Sequence, residues 1–149
     1  MDTLKHNTGG LMLVLTVLFF SGQVLQVSGL FDKVKVIIAN ELERPLTLHC
    51  KSKDDDLGRH VLQHWKEYSW AFRVNFWQTT LFWCNFQWHL QRNILVEGSF
   101  KIYEARKDQE RCQKSCIWIL RQEGLYLKDT NRHGWFKIYR WPLPESITT

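Results

Sequence analysis

The chain has 149 residues, 20 Lys and Arg against 15 Asp and Glu, a formal net charge of +5, and 14% aromatic residues that include eight Trp. That aromatic content excludes a disordered chain, and the length excludes two full-sized domains. The charge is basic without being extreme.

Asp2, Lys5 and His6 precede an apolar run from Leu11 to Phe20, and Val27-Ser28-Gly29 offers small residues at a cleavage point. This is the pattern of a secretory signal peptide over 1–29, cut after Gly29 to leave a single domain over 30–149. Ser21, Gly22, Gln23 and Gln26 interrupt the run before it reaches the roughly 20 apolar residues of a bilayer-spanning helix. A secreted, extracellular protein without stable membrane insertion is expected.

From there the apolar period is two. Val34, Val36 and Ile38 alternate with Lys35, Ile37 and Ala39; Leu46, Leu48 and Cys50 alternate with Thr47 and His49. Tyr68, Trp70, Phe72, Val74 and Phe76 form the clearest strand. Thr80, Phe82, Cys84, Phe86 and Trp88 repeat it after only three residues, which predicts an antiparallel hairpin with Phe76 on the core face. Shorter runs follow at Phe100 and Ile102, at Cys116, Trp118 and Leu120, at Leu125 and Leu127, and at Phe136 and Ile138. No stretch of twelve residues has a helical apolar stripe. The predicted fold is all-β, a small antiparallel β-sandwich of seven or eight strands.

Four Cys in an exported chain predict two disulfides. Cys50, Cys84 and Cys116 fall on apolar strand faces and Cys112 in a charged loop. Of the three possible pairings, this placement favours Cys50 with Cys116 and Cys84 with Cys112.

Catalytic chemistry finds little purchase. His49, His60, His64, His89 and His133 are scattered, and no nucleophile elbow, HExxH box or phosphate-binding glycine loop is present. Asp54, Asp55 and Asp56 are consecutive, without the spacing or terminal Glu of a calcium loop, and read as a solvated turn. Phe72, Val74 and Phe76 share the face assigned to the core, so they offer no stacking platform for nucleic acid. No enzyme activity and no cofactor are expected.

Several blocks carry a resemblance. Val36-Ile37-Ile38-Ala39-Asn40, Leu48-His49-Cys50-Lys51-Ser52-Lys53-Asp54-Asp55-Asp56-Leu57-Gly58, Thr79-Thr80-Leu81-Phe82-Trp83-Cys84, and Cys112 with Cys116-Ile117-Trp118 resemble the plant self-incompatibility S1 family, the S-protein homologues. The resemblance implies a small secreted β-sandwich with two disulfides. It also implies an extracellular signal read by a membrane protein on a target cell, pollen rejection being one role of such ligands.

Recognition by such a sandwich is expected in its loops, because the strands bury aromatic side chains. Three charged loops stand out: Lys51 to Arg59 with Lys53, Asp54, Asp55 and Asp56; Arg106 to Ser115 with Lys107, Asp108, Glu110 and Arg111; and Lys128 to His133 with Lys128, Asp129 and Arg132. Reversing Asp108 and Glu110 to Lys is expected to leave the fold intact. The expected function is a monomeric ligand for a plasma-membrane receptor, with a small secreted hydrolase or antimicrobial protein as the alternative.

Overall fold

Val34, Val36 and Ile38 turn inward from β1 (Lys33–Asn40) while Lys33 and Lys35 turn out, the two-residue period of a strand covered on one face. The same period buries Leu46, Leu48 and Cys50 of β2 (Leu46–Lys51) and Phe82, Cys84, Phe86 and Trp88 of β5 (Leu81–Gln91). The structure, a computed structural model, describes residues 33–92 and 94–143; the expected leader over 1–29 and its cleavage point lie outside them. The remaining strands are β3 (Asp56–Leu62), β4 (Glu67–Arg73), β6 (Ile94–Glu104), β7 (Ser115–Arg121), β8 (Gly124–Asp129) and β9 (Gly134–Tyr139). A short helix, α1 (Ala105–Cys112), joins β6 to β7.

Five strands form one sheet in the order β4-β1-β7-β8-β9, and four form the other in the order β3-β2-β5-β6. Aromatic rings fill the space between them: Phe72 of β4 lies 4.6 Å from Phe82 of β5 and 4.8 Å from Tyr103 of β6, and Trp70 lies 5.6 Å from Phe82. Trp118 of β7 crosses the same space to donate its indole N–H to the Ile102 carbonyl of β6 at 2.9 Å. The expected sandwich therefore forms, with nine strands among the described residues where seven or eight were expected. One pairing departs from the antiparallel rule, since β1 and β7 run parallel with Val36 opposite Cys116 and Ile38 opposite Trp118.

The expected hairpin from Tyr68 to Trp88 does not form. β4 pairs with β1 and β5 with β2 and β6, so residues 74–80 cross between the sheets instead of reversing within one. Val74 keeps its inward position at 5% exposure, whereas Phe76, assigned to the core by alternation, is 62% exposed because β4 has already ended.

The disulfides also differ from the favoured pairing. Cys50 bonds Cys84 and Cys112 bonds Cys116. Cys50 and Cys84 are directly opposite each other on neighbouring strands, with Cα atoms 4.0 Å apart, whereas Cys116 belongs to the other sheet. Cys112 ends α1 and is returned by a single turn of chain to Cys116 in β7. The bridge closing 34 residues restricts the unfolded chain more than the one closing four, so it is the stronger of the two on the loop-entropy account.

Two residues fix the sheet ends. Asn40, fully buried, donates to the carbonyls of Arg44 and Leu62, both at 2.9 Å, and accepts the Leu42 N–H, which satisfies the backbone where β1 turns toward β2. Gly124 has φ +143°, and a Cβ there would lie 2.0 Å from the Tyr139 carbonyl, so only glycine permits this approach of β8 to the end of β9.

Candidate functional site

Each connection carries the chain from one end of the sandwich to a strand that starts there, so successive strands alternate in direction. It follows that residues 52–55, residues 74–80, α1 with the turn after it, and residues 130–133 all gather at one end. Residues 41–45, 63–66 and 122–123 occupy the opposite end. The three charged segments singled out in the sequence thus lie at the same end of the sandwich.

In the 52–55 turn the Ser52 hydroxyl accepts the N–H groups of Asp54 and Asp55 and donates to the Asp55 carboxylate at 3.1 Å. The segment expected as a loop to Arg59 is shorter than that, since Asp56 already begins β3. Asp56 accepts from His49 at 2.5 Å, from the Gly58 N–H at 3.0 Å and from Lys51 at 3.0 Å. The His49 hydrogen bond first, then Gly58 and Lys51, hold this carboxyl well below the ordinary aspartate range. A folded carboxyl more acidic than the unfolded one contributes in full above the ordinary value of about 4 and loses its contribution as pH falls below it. Asp56→Asn should therefore melt below the parent at neutral pH, with the two melting temperatures converging in acid; a constant gap at every pH would contradict this.

The charged segment expected as a loop from Arg106 to Ser115 is mostly α1. Its eight residues are too few for a twelve-residue stripe, yet Ala105, Asp108 and Cys112 are buried at helical spacing. Asp108 is therefore not a surface residue. It is 3% exposed, accepts the Glu104 N–H at 2.6 Å and pairs with Arg111, and burial pushes its carboxyl up despite those partners.

The 130–133 turn docks on the end of α1. Thr130 donates both its N–H, at 3.1 Å, and its hydroxyl, at 2.7 Å, to the Arg111 carbonyl, and Asn131 donates its side-chain amide to the Glu110 carbonyl at 3.1 Å. Terminal helix carbonyls lacking intrahelical partners are satisfied this way, which ties turn and helix into one unit. Asp129 accepts the N–H groups of Asn131 and Arg132, and the Arg132 guanidinium lies over the Phe136 ring at 5.5 Å. Between turn and helix is a cleft of about 290 Å³ lined by Lys107, Glu110, Arg111, Asp129, Asn131 and Arg132, with Phe136 and Ile138 among its apolar residues. Lys53, Asp54 and Asp55 line a second cleft, of about 460 Å³, with Phe72, Arg73 and Thr79. Lys128 is exposed on β8 outside both clefts.

Phe76, assigned by alternation to the core, is 62% exposed, and Trp77, in the connection expected after it, is 74% exposed. The signal was present: two large aromatics in succession cannot both follow a two-residue alternation, and Asn75 before them suits a side-chain-closed turn. The histidines remain dispersed. His60 stacks on Tyr68 at 3.9 Å and His64 bonds the Leu42 carbonyl, while His89 and His133 are exposed. Among the described residues no group of three or more His, Cys, Asp or Glu could hold a metal ion, and no helix is long and apolar enough to cross a membrane.

Residues 35–141 match the family described as plant self-incompatibility protein S1. S-protein homolog 5 of Arabidopsis thaliana is 48% identical over 80 residues, which cover 54% of this chain and 58% of that protein. S-protein homolog 6 of the same plant is 38% identical over 105 residues, 70% of this chain and 72% of that one. Self-incompatibility protein S1 of Papaver rhoeas is 34% identical over 115 residues, 75% and 79% of the two chains. A solved structure of a self-incompatibility protein homologue, from what is described as a widespread family of small, highly stable, secreted plant proteins, shares the fold. Its TM-score is 0.55 at 19% identity, over 74% of this chain and 96% of that one.

Proposed function

The chain belongs to the plant self-incompatibility protein S1 family, and from that membership we propose that it is a secreted signalling ligand for a plasma-membrane receptor on a target cell. It works as a monomer, by binding instead of catalysis. The observation that carries this reading is the gathering of the charged segments at one end of the sandwich, with the 130–133 turn hydrogen-bonded to α1. A surface held in place before contact loses little conformational entropy on binding, and its mixed charges discriminate between partners.

Lys107 and Arg132 are suited to testing it, because both line the cleft between helix and turn and their side chains are 67% and 72% exposed. Exposed substitutions usually change stability by less than about 0.5 kcal/mol each. Lys107→Glu with Arg132→Glu should therefore keep the parent melting temperature and lose binding of labelled protein to target cells. Unchanged binding with the fold intact would remove this cleft from the recognition surface. Export implies processing as well: the secreted chain should begin at Leu30, and N-terminal sequencing that finds Leu11 to Phe20 retained would contradict it.

A further inference from the structure

We propose that the Phe76–Trp77 tip between β4 and β5 is a peripheral docking element for an anionic membrane surface. The tip is held rigidly. Asn75 accepts the Thr79 N–H through its side-chain oxygen at 2.8 Å, donates its amide to the Thr79 hydroxyl at 2.8 Å, and donates its own N–H to the Thr80 hydroxyl at 2.9 Å. The Gln78 N–H closes the turn on the Asn75 carbonyl at 3.0 Å. Phe76 and Trp77 occupy the two central positions, edge to face with ring centroids 5.2 Å apart, and both are largely exposed.

Two adjacent large aromatics on an ordered turn leave apolar area in water that no neighbouring residue covers. A convex tip of this kind can enter the boundary between headgroups and acyl chains, where Trp is favoured because its ring is apolar and its N–H remains hydrated. The charge beside it has the matching sign. Lys33 and Arg73 are register partners on β1 and β4, Lys35 follows on the same outward side, and Lys53 lines the cleft shared with Arg73 and Asn75. Among the described residues that line this cleft the acids are Asp54 and Asp55, the second of them held by Ser52. Juxtaposed bases draw such a tip to anionic lipid, and the attraction weakens with salt. Docking of this kind needs no membrane-spanning helix and is independent of the receptor reading.

The test is co-sedimentation of the chain over 30–149 with vesicles of phosphatidylcholine and phosphatidylserine, and with phosphatidylcholine alone. The parent should sediment with the mixed vesicles, less so at high salt. Phe76→Ser with Trp77→Ser should weaken partitioning at least about tenfold, as expected for losing two buried aromatic side chains, with the melting temperature unchanged. Trp65→Asn removes a 67% exposed Trp from the opposite end and should bind vesicles like the parent. A parent that ignores anionic vesicles, a double variant that binds like the parent, or an equal loss in the Trp65 variant would each overturn the proposal. If the double variant loses cell binding while the parent ignores vesicles, the tip is a protein contact and the proposal fails with the receptor reading standing. Vesicle docking alongside unimpaired cell binding by the Lys107 and Arg132 variant supports the proposal and removes the receptor cleft.

Discussion

Replacing Asp108 with Lys should destabilise the domain by about 3–5 kcal/mol, the scale for breaking a buried ion pair and leaving a charge without compensation. Asp108 is 3% exposed between α1 and the end of β6 and accepts the Glu104 N–H, so Lys would place a cation against that donor and against Arg111. Asp108→Asn keeps an acceptor and should be milder. Glu110→Lys, on the exposed side of the same helix, should change the melting temperature little. A thermal melt of Asp108→Lys that coincides with the parent would contradict the buried assignment.

Trp118→Ala should cost a further-reaching 3–5 kcal/mol or about that scale, because the largest fully buried side chain leaves a cavity that neighbouring strands cannot close. The Ile102 carbonyl also loses the indole donor that ties the two sheets together, and Tyr139, stacked 6.0 Å away, loses its neighbour. Trp118→Phe keeps most of the volume and should recover much of the loss. Denaturant unfolding checks both, and an alanine variant within about 1 kcal/mol of the parent would contradict the central place given to this residue.

The strands were legible wherever a two-residue period met a single buried face, as at Val34, Val36 and Ile38 or at Phe82, Cys84 and Phe86. Partner choice was not, because alternation reports which face is covered and says nothing of which strand lies alongside. That is why the run from Tyr68 reads as a hairpin with the next strand although the chain crosses between sheets, and why Cys50 could not be assigned to Cys84 without the register. The charged segments were recognisable from composition, but a helix of eight residues is shorter than the window that reveals a stripe, so Asp108 passed for a surface charge. Phe76 shows the opposite error, in which an aromatic at the end of an alternating run reads as core although the strand has already ended; Trp77 lies in the connection where the sequence places it.

The most direct measurement of the central claim is site-specific photo-crosslinking on living target cells. A photoreactive residue would replace Lys107 or Arg132 at the loop-bearing end, and Arg44 or Gln122 at the opposite end, all four exposed or lining a cleft on their own side. A membrane protein captured from Lys107 and Arg132, and not from Arg44 or Gln122, is the result expected of a receptor ligand that reads through gathered charged loops. Capture from Arg44 and Gln122 alone, or equally from both ends, would contradict it.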